Sequence, residues 1–147
     1  MHLIKQISAQ ETYVIRQSIL RKGKPINTCI FDGDLEENTF HLGLFCKSEL
    51  IGVASFMNNK FHLFSEDKQY QLRGMAILKN FQHQGLGKRL IQEGENILNE
   101  RKADLLWFNA REVALEFYKS NGYLIFGDAF NIPDIGVHYV MTKKLTS

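Results

Sequence analysis

A chain of 147 residues, 44% hydrophobic and 23% charged with only two prolines, can bury a sizeable core and does not have the composition of a disordered or low-complexity segment. A net charge of +2 without a Lys/Arg cluster argues against a dedicated nucleic-acid binder, and no apolar run reaches membrane length. Met1-His2-Leu3-Ile4-Lys5 lacks the apolar stretch of a signal peptide, and Cys29 and Cys46 stand apart from any metal-type spacing. The expectation is one cytoplasmic domain over residues 1–147, with reduced cysteines and no metal.

Residues His2 to Ile7 alternate as a strand, and Ser8 caps a helix over about Ala9 to Leu20, with Glu11 in the capping-box position. Tyr13, Val14, Ile19 and Leu20 are its expected packing stripe. From Arg21 to Asn38 the chain is polar and irregular, with Gly23, Pro25, Asp32-Gly33-Asp34 and Glu36-Glu37; loops this long are often functional. Thr39 to Cys46 and Leu50 to Met57 read as a hairpin joined by Lys47-Ser48-Glu49. Asn58-Asn59-Lys60 breaks the pattern, residues 61 to 64 are left unassigned, and a strand follows from about Gln69 to Leu78.

In the stretch after that strand, Lys79-Asn80 signals a turn, and Gly85 and Gly87 open an amphipathic helix. Leu86, Leu90, Ile97 and Leu98 line one side, Gly94 permits close approach to a sheet, and the helix ends near Arg101-Lys102. The first N–H groups of a helix have no intrahelical partner and lie at the positive end of its dipole, so two glycines at this entrance suit an anion, most often phosphate. Lys88 and Arg89 in the first turn are unfavourable against the dipole by roughly 0.3–1 kcal/mol each, and a bound phosphate reverses that sign. A plain tight turn with solvated charges accounts for the same residues. A Walker-type loop fails, because Gln82 stands where it needs Gly and Arg89 follows Lys88; a dinucleotide fingerprint fails at Leu90.

Asp104 to Asn109 is a further strand, parallel to the one before the glycines because strand, helix and strand make a right-handed crossover. A helix over about Glu112 to Ser120 stops at Gly122. Tyr123 to Gly127 and Gly136 to Lys143 are two closing strands, separated by a loop that holds Phe130, Pro133 and Asp134.

Two motifs resemble a known family. Gln82-His83-Gln84-Gly85-Leu86-Gly87 resembles the Gln/Arg-x-x-Gly-x-Gly/Ala pyrophosphate motif of the GNAT superfamily of acyl-CoA-dependent N-acetyltransferases. The segment Asn109 to Tyr123 is similar to the family's Asn-x-x-Ala-x-x-Phe-Tyr-x-x-x-Gly-Phe signature, with Ala114, Phe117, Tyr118, Gly122 and Tyr123 in register. The match runs through residues 70 to 126. Leu20-Arg21-Lys22-Gly23 and the segment from Ile132 to His138 also resemble a bacterial subgroup of uncharacterised GNAT proteins, which names no substrate.

The resemblance implies an α/β (α+β) fold: a mixed, twisted sheet of about six to seven strands flanked by helices, with two central parallel strands splayed apart to admit pantetheine as though it were another strand. It implies that the N–H of Met75 faces the acyl carbonyl and the main chain of Ile77 the pantetheine amide. The pyrophosphate would rest on Gln82, His83, Gln84, Gly85, Leu86, Gly87 and Lys88. Tyr118 would be the general acid, with Ala114 on the same helical stripe leaving room for pantetheine and Val113 and Phe117 turned to the core. Whether Asn109 or Arg111 contacts pantetheine stays open. No general base stands out: His41 and His138 read as structural histidines. Arg73 reads as the partner of a structural carboxylate in preference to a ligand for an acidic substrate. The function implied is transfer of an acetyl group from acetyl-CoA to a primary amine, of a small molecule or a protein N-terminus or lysine, by direct attack in a ternary complex. No nucleic-acid or membrane partner is expected, and a homodimer is left open. The rivals are a non-catalytic acyl-CoA-binding module and a protein-interaction domain working through residues 21 to 38.

Overall fold

The computed structural model describes residues 2–145. Its first turn of helix is set by a reciprocal cap: Glu11 N–H donates to Ser8 Oγ at 3.2 Å, and Ser8 N–H donates to Glu11 Oε1 at 2.8 Å. This cap joins β1 (His2–Ile7) to α1 (Ala9–Ile19). The buried face of α1 is Ala9, Thr12, Ile15 and Arg16, and Val14, expected in the packing stripe, is 68% exposed. The stripe is rotated because a charged residue, Arg16, sits in its centre.

The strands that follow are β2 (Phe40–Cys46), β3 (Glu49–Met57), β4 (Gln69–Ile77), β5 (Leu105–Arg111), β6 (Leu124–Ile132) and β7 (Gly136–Lys144). They form one sheet in the order β1-β2-β3-β4-β5-β7-β6, antiparallel except for the parallel β4–β5 pair. The β2–β3 hairpin turns on Lys47 and Ser48, both at positive φ (49° and 71°), which matches the right-handed twist of the strands. Phe130, expected in a loop, lies within β6 and pairs with His138; the connection shrinks to Pro133–Ile135 and the pairing is irregular between Phe126 and Phe130. The strand expected to end at Gly127 continues through that irregularity to Ile132.

Helix α2 (Leu86–Glu100) crosses one face of the sheet. A Cβ on Gly94 would stand 2.1 Å from Phe56 Cζ, so only glycine lets the helix settle on the Phe40–Phe56 stack. Leu86, Leu90, Ile91 and Leu98 bury against Leu72, Leu106 and Phe108 in the main core. The expected helix from Glu112 is instead a 3₁₀ turn (Glu112–Ala114) leading into α3 (Leu115–Ser120). A 3₁₀ turn advances about 120° per residue and so rotates Val113 out of the α-helical stripe. Val113 is 92% exposed and not core, while Phe117 packs against the core.

Candidate active site

The parallel pairing of β4 and β5 lasts only from Gln69↔Leu105 to Gln71↔Trp107. Beyond it the strands part, and β4 runs on to Ile77 with its β5-facing groups outside any ladder. On its other side β4 carries a bulge: Arg73 pairs with Ser55 and Ala76 with Val53, so Ala54 alone faces both Gly74 and Met75. Gly74 has φ 63°, a conformation costly for other residues. Since Leu78 N–H donates to Ile51 O at 2.8 Å, the alternation of the strand turns the N–H and C=O of Ile77, and of Met75 two residues earlier, toward the gap. Gln82 donates its side-chain amide to Ile77 O at 2.8 Å. The Ile77 carbonyl is thereby satisfied, and its N–H is left to the gap.

The turn between β4 and α2 presents a row of donors. Gly85, at φ 78°, is the N-cap and has no side chain to close the row; His83 is held at φ 64°. Arg89 N–H is the first in this stretch to reach a helical acceptor, Gly85 O at 3.4 Å, so the N–H groups from His83 to Lys88 are left without a backbone partner. The first turn holds no acidic residue and does hold exposed Lys88 and Arg89. The residues thus fit a diphosphate: unpaired donors at the positive end of a 15-residue helix, flanked by cations.

At the other end of the gap is a cleft of about 340 Å³ whose lining includes Met75, Phe108, Asn109, Ala114 and Tyr118. The Tyr118 ring packs on Phe108 (centroids 4.3 Å apart) and Phe117 (5.1 Å), while its hydroxyl bonds to no protein atom among the described residues. Burial pushes its pKa up to about 12. Asn109 and Arg111 are both exposed and lie on the opposite face of β5 from Phe108 and Ala110. The residues named from the sequence therefore fall in two groups, Met75, Asn109 and Tyr118 around the cleft and Gln82 to Lys88 at the turn, with Ile77 between them.

Of the further basic residues here, the sequence suggests a structural role for Arg73 and His138, leaves Arg111 open and gives Arg21 no role of its own. Arg21, Arg73, Arg111 and His138 also line the cleft. Among the described residues, no carboxylate lies within 4.0 Å of Arg21, Arg73 or Arg111, so the expected structural carboxylate for Arg73 is not there. His138 is buried and pairs across the sheet with Arg111. Its Nδ1 lies 2.8 Å from Gly136 O; a carbonyl can only accept, so Nδ1 carries the proton and Nε2 the lone pair of the neutral ring. His41 is structural as expected, bonded to Ser55 Oγ at 2.6 Å and Asp34 O at 3.0 Å. Beneath the cleft, fully buried Arg16 donates to both oxygens of Asp34 (2.7 and 2.9 Å), to Ser55 Oγ (2.8 Å) and to Cys29 O (2.7 Å). The signal for Arg16 was its place three and four residues from Ile19 and Thr12 on one helical face.

No group of three or more His, Cys, Asp or Glu among the described residues is placed to hold a metal ion, and no described helix is long and apolar enough to cross a membrane. The profile of the Acetyltransferase (GNAT) family matches residues 8–123. The chain is 40% identical over 142 residues to the uncharacterised N-acetyltransferase YitI of Bacillus subtilis strain 168, covering 97% of this chain and 95% of that one. Its fold is similar to that of the ribosomal-protein-S18-alanine N-acetyltransferase of Escherichia coli, with TM-score 0.79 and 18% identity over 100% of this chain and 96% of that one. It is also similar to an aminoglycoside 6′-N-acetyltransferase complexed with coenzyme A, with TM-score 0.72 and 13% identity over 99% and 98% of the two chains. With family profile, relative and fold in agreement, the chain belongs to the acetyltransferase (GNAT) family and is an N-acetyltransferase, an enzyme of acyl transfer from acyl-CoA to an amine.

Proposed function

We propose that the protein transfers an acetyl group from acetyl-CoA to the primary amine of an acceptor that also carries a carboxylate or phosphate, by direct attack in a ternary complex. One observation carries the acceptor class: Arg21, Arg73 and Arg111 line the cleft beside Met75 and Tyr118, and among the described residues none of them forms an ion pair within 4.0 Å, the carboxylates of Asp32 and Asp34 acting on Arg73 only from farther away. Guanidinium groups stay charged and match carboxylate and phosphate geometry, so three in one cleft favour an acceptor that carries an anion.

The chemistry follows from the donors. The amine must be neutral to attack, and His138 Nε2 takes its proton. As the C–N bond forms, charge gathers on the thioester oxygen and is met by the Met75 N–H; an oxyanion donor of this kind is worth roughly 10²–10³ in rate. Tyr118 returns a proton to the departing thiolate. Cys29 and Cys46 are both outside the cleft lining, which favours direct attack over an acyl-cysteine.

The test is thiol release from acetyl-CoA against amino acids and aminoalkyl phosphates, neutral amines of the same length, and polyamines. The expected result is a kcat/KM at least about tenfold higher for the anion-bearing amines, the size of one charge-assisted hydrogen bond. Preference for polyamines would overturn it and favour the neighbouring groove, which Asp32, Glu36 and Glu37 line together with Arg73.

A further inference from the structure

Resting on that acceptor reading, the geometry points to Phe31 as the positioning residue that gives the site its selectivity for anions: its ring holds the Arg73 and Arg21 guanidinium groups toward the cleft without neutralising them. The two guanidinium carbons lie 4.6 and 5.2 Å from the ring centroid, inside the roughly 6 Å range of a cation–π contact. A carboxylate in that place would fix the arginines equally well but cancel the charge that an acceptor must meet. The negative face of an aromatic ring orients a cation and leaves its hydrogen-bonding edge and net charge free.

Phe31 is itself held rigidly. It is 8% exposed and has Arg16 over its ring at 4.0 Å. Its N–H donates to Asp34 Oδ2 at 2.8 Å, and its carbonyl accepts from Asp34 N–H at 3.1 Å. Asp34 in this turn is already engaged twice by Arg16, and neither it nor Asp32 comes within 4.0 Å of Arg73, on which both act only at longer range. A Cβ on Gly74 would stand 3.0 Å from Phe31 Cε2, so the ring rests directly on the bulge that presents Met75. Acceptor-binding charge and acyl-binding backbone are thereby referred to one rigid surface.

The test replaces Phe31 with pentafluorophenylalanine, which keeps the ring's shape and removes its negative face, and uses Phe31→Tyr as the conservative control. An unchanged melting temperature verifies the fold. The expected result for the fluorinated ring is a KM for an anion-bearing amine raised about tenfold, the scale of a partly desolvated cation–π contact. The KM for acetyl-CoA and the kcat/KM for a neutral amine should move less than about twofold, and Phe31→Tyr should behave as wild type. An unchanged anionic-acceptor KM, or an equal rise for the neutral amine, would overturn the role of Phe31 alone. A wild-type enzyme without preference for anion-bearing amines would overturn the acceptor reading, and this inference with it.

Discussion

Gly87 and Met75 meet where the glycine turn closes on the splayed strand: a Cβ on Gly87 would stand 3.3 Å from Met75 Cε and 3.2 Å from Phe117 Cζ. The absent side chain serves two ends, letting α2 approach β4 and leaving its N-terminal donors uncovered. Gly87→Val should therefore abolish acetyl-CoA binding measured by calorimetry, and Gly87→Ala should weaken it about tenfold through the displacement of Met75. A folded Gly87→Val protein with unchanged affinity would remove the pyrophosphate from this turn.

The Arg16–Asp34 pair yields a stability prediction. Burial alone would raise the Asp34 pKa, but the hydrogen bonds from Arg16 and from Phe31 N–H, with the Arg16 charge, hold it below its ordinary value. A depressed carboxyl pKa adds stability that is present above the unfolded value and lost as pH falls through the folded one. Asp34→Asn leaves Arg16 with an uncompensated buried charge and should cost about 3–5 kcal/mol at pH 7 by urea denaturation. The gap between variant and wild type should narrow below about pH 4. A gap that stays constant down to pH 3 would show that the fold does not lower the Asp34 pKa.

Much of this was legible beforehand wherever local chemistry decides structure. The Ser8–Glu11 box, the bounds of β1 and the crossover that makes β4 and β5 parallel follow from residues near one another in sequence, whereas Gly94 reads only as a close approach to a sheet until Phe56 of β3 is set against it. Long-range partners were not legible. The helical face that Arg16 shares with Thr12 and Ile19 does not name its partner Asp34, which lies 18 positions on. Arg73 reads as half of an ion pair because most half-buried arginines are, and only the folded cleft shows that its partner is a ring. His138 gains its candidate role from the β5–β7 register, which sets it beside Arg111, and from a bond to Gly136 that fixes its tautomer. Val113 was misplaced because a 3₁₀ turn and an α-turn share the same sequence pattern over three residues.

His138 can be tested by a substitution that spares its structural bond. In His138→Asn the side-chain amide still donates toward Gly136 O, but the Nε2 lone pair is gone. Turnover should fall by roughly 10²–10⁴ with acetyl-CoA affinity unchanged, the usual worth of a positioned base. In His138→Ala, added imidazole should restore part of the rate. Unchanged turnover in His138→Asn would assign the amine's proton to water and leave His138 as a strand residue.

Tyr118→Phe keeps the ring that packs on Phe108 and Phe117 and the carbonyl that accepts from Tyr123 N–H at 3.1 Å, so the fold and acetyl-CoA affinity should persist. Turnover should fall by about 10², the lower end for a general acid, because a thiol of pKa about 8.5, by analogy with cysteine, leaves tolerably without help. An acid held at about 12 by burial stays protonated through pH 10, so the alkaline side of the wild-type rate profile should show no loss from this group up to that pH. Stability should show one: between about pH 10 and 12 the unfolded phenol ionises while the folded one does not, so stability falls as pH rises, by at most about 1.4 kcal/mol per unit. Tyr123 is shifted in the same direction by burial and by Glu95, so Tyr118→Phe should halve that slope and not abolish it. Denaturation curves of the two proteins across this range check the sign. A turnover unchanged in Tyr118→Phe, measured where chemistry limits the rate, would make the phenol a packing residue, and joint loss of acetyl-CoA binding and turnover would make it a contact for the cosubstrate.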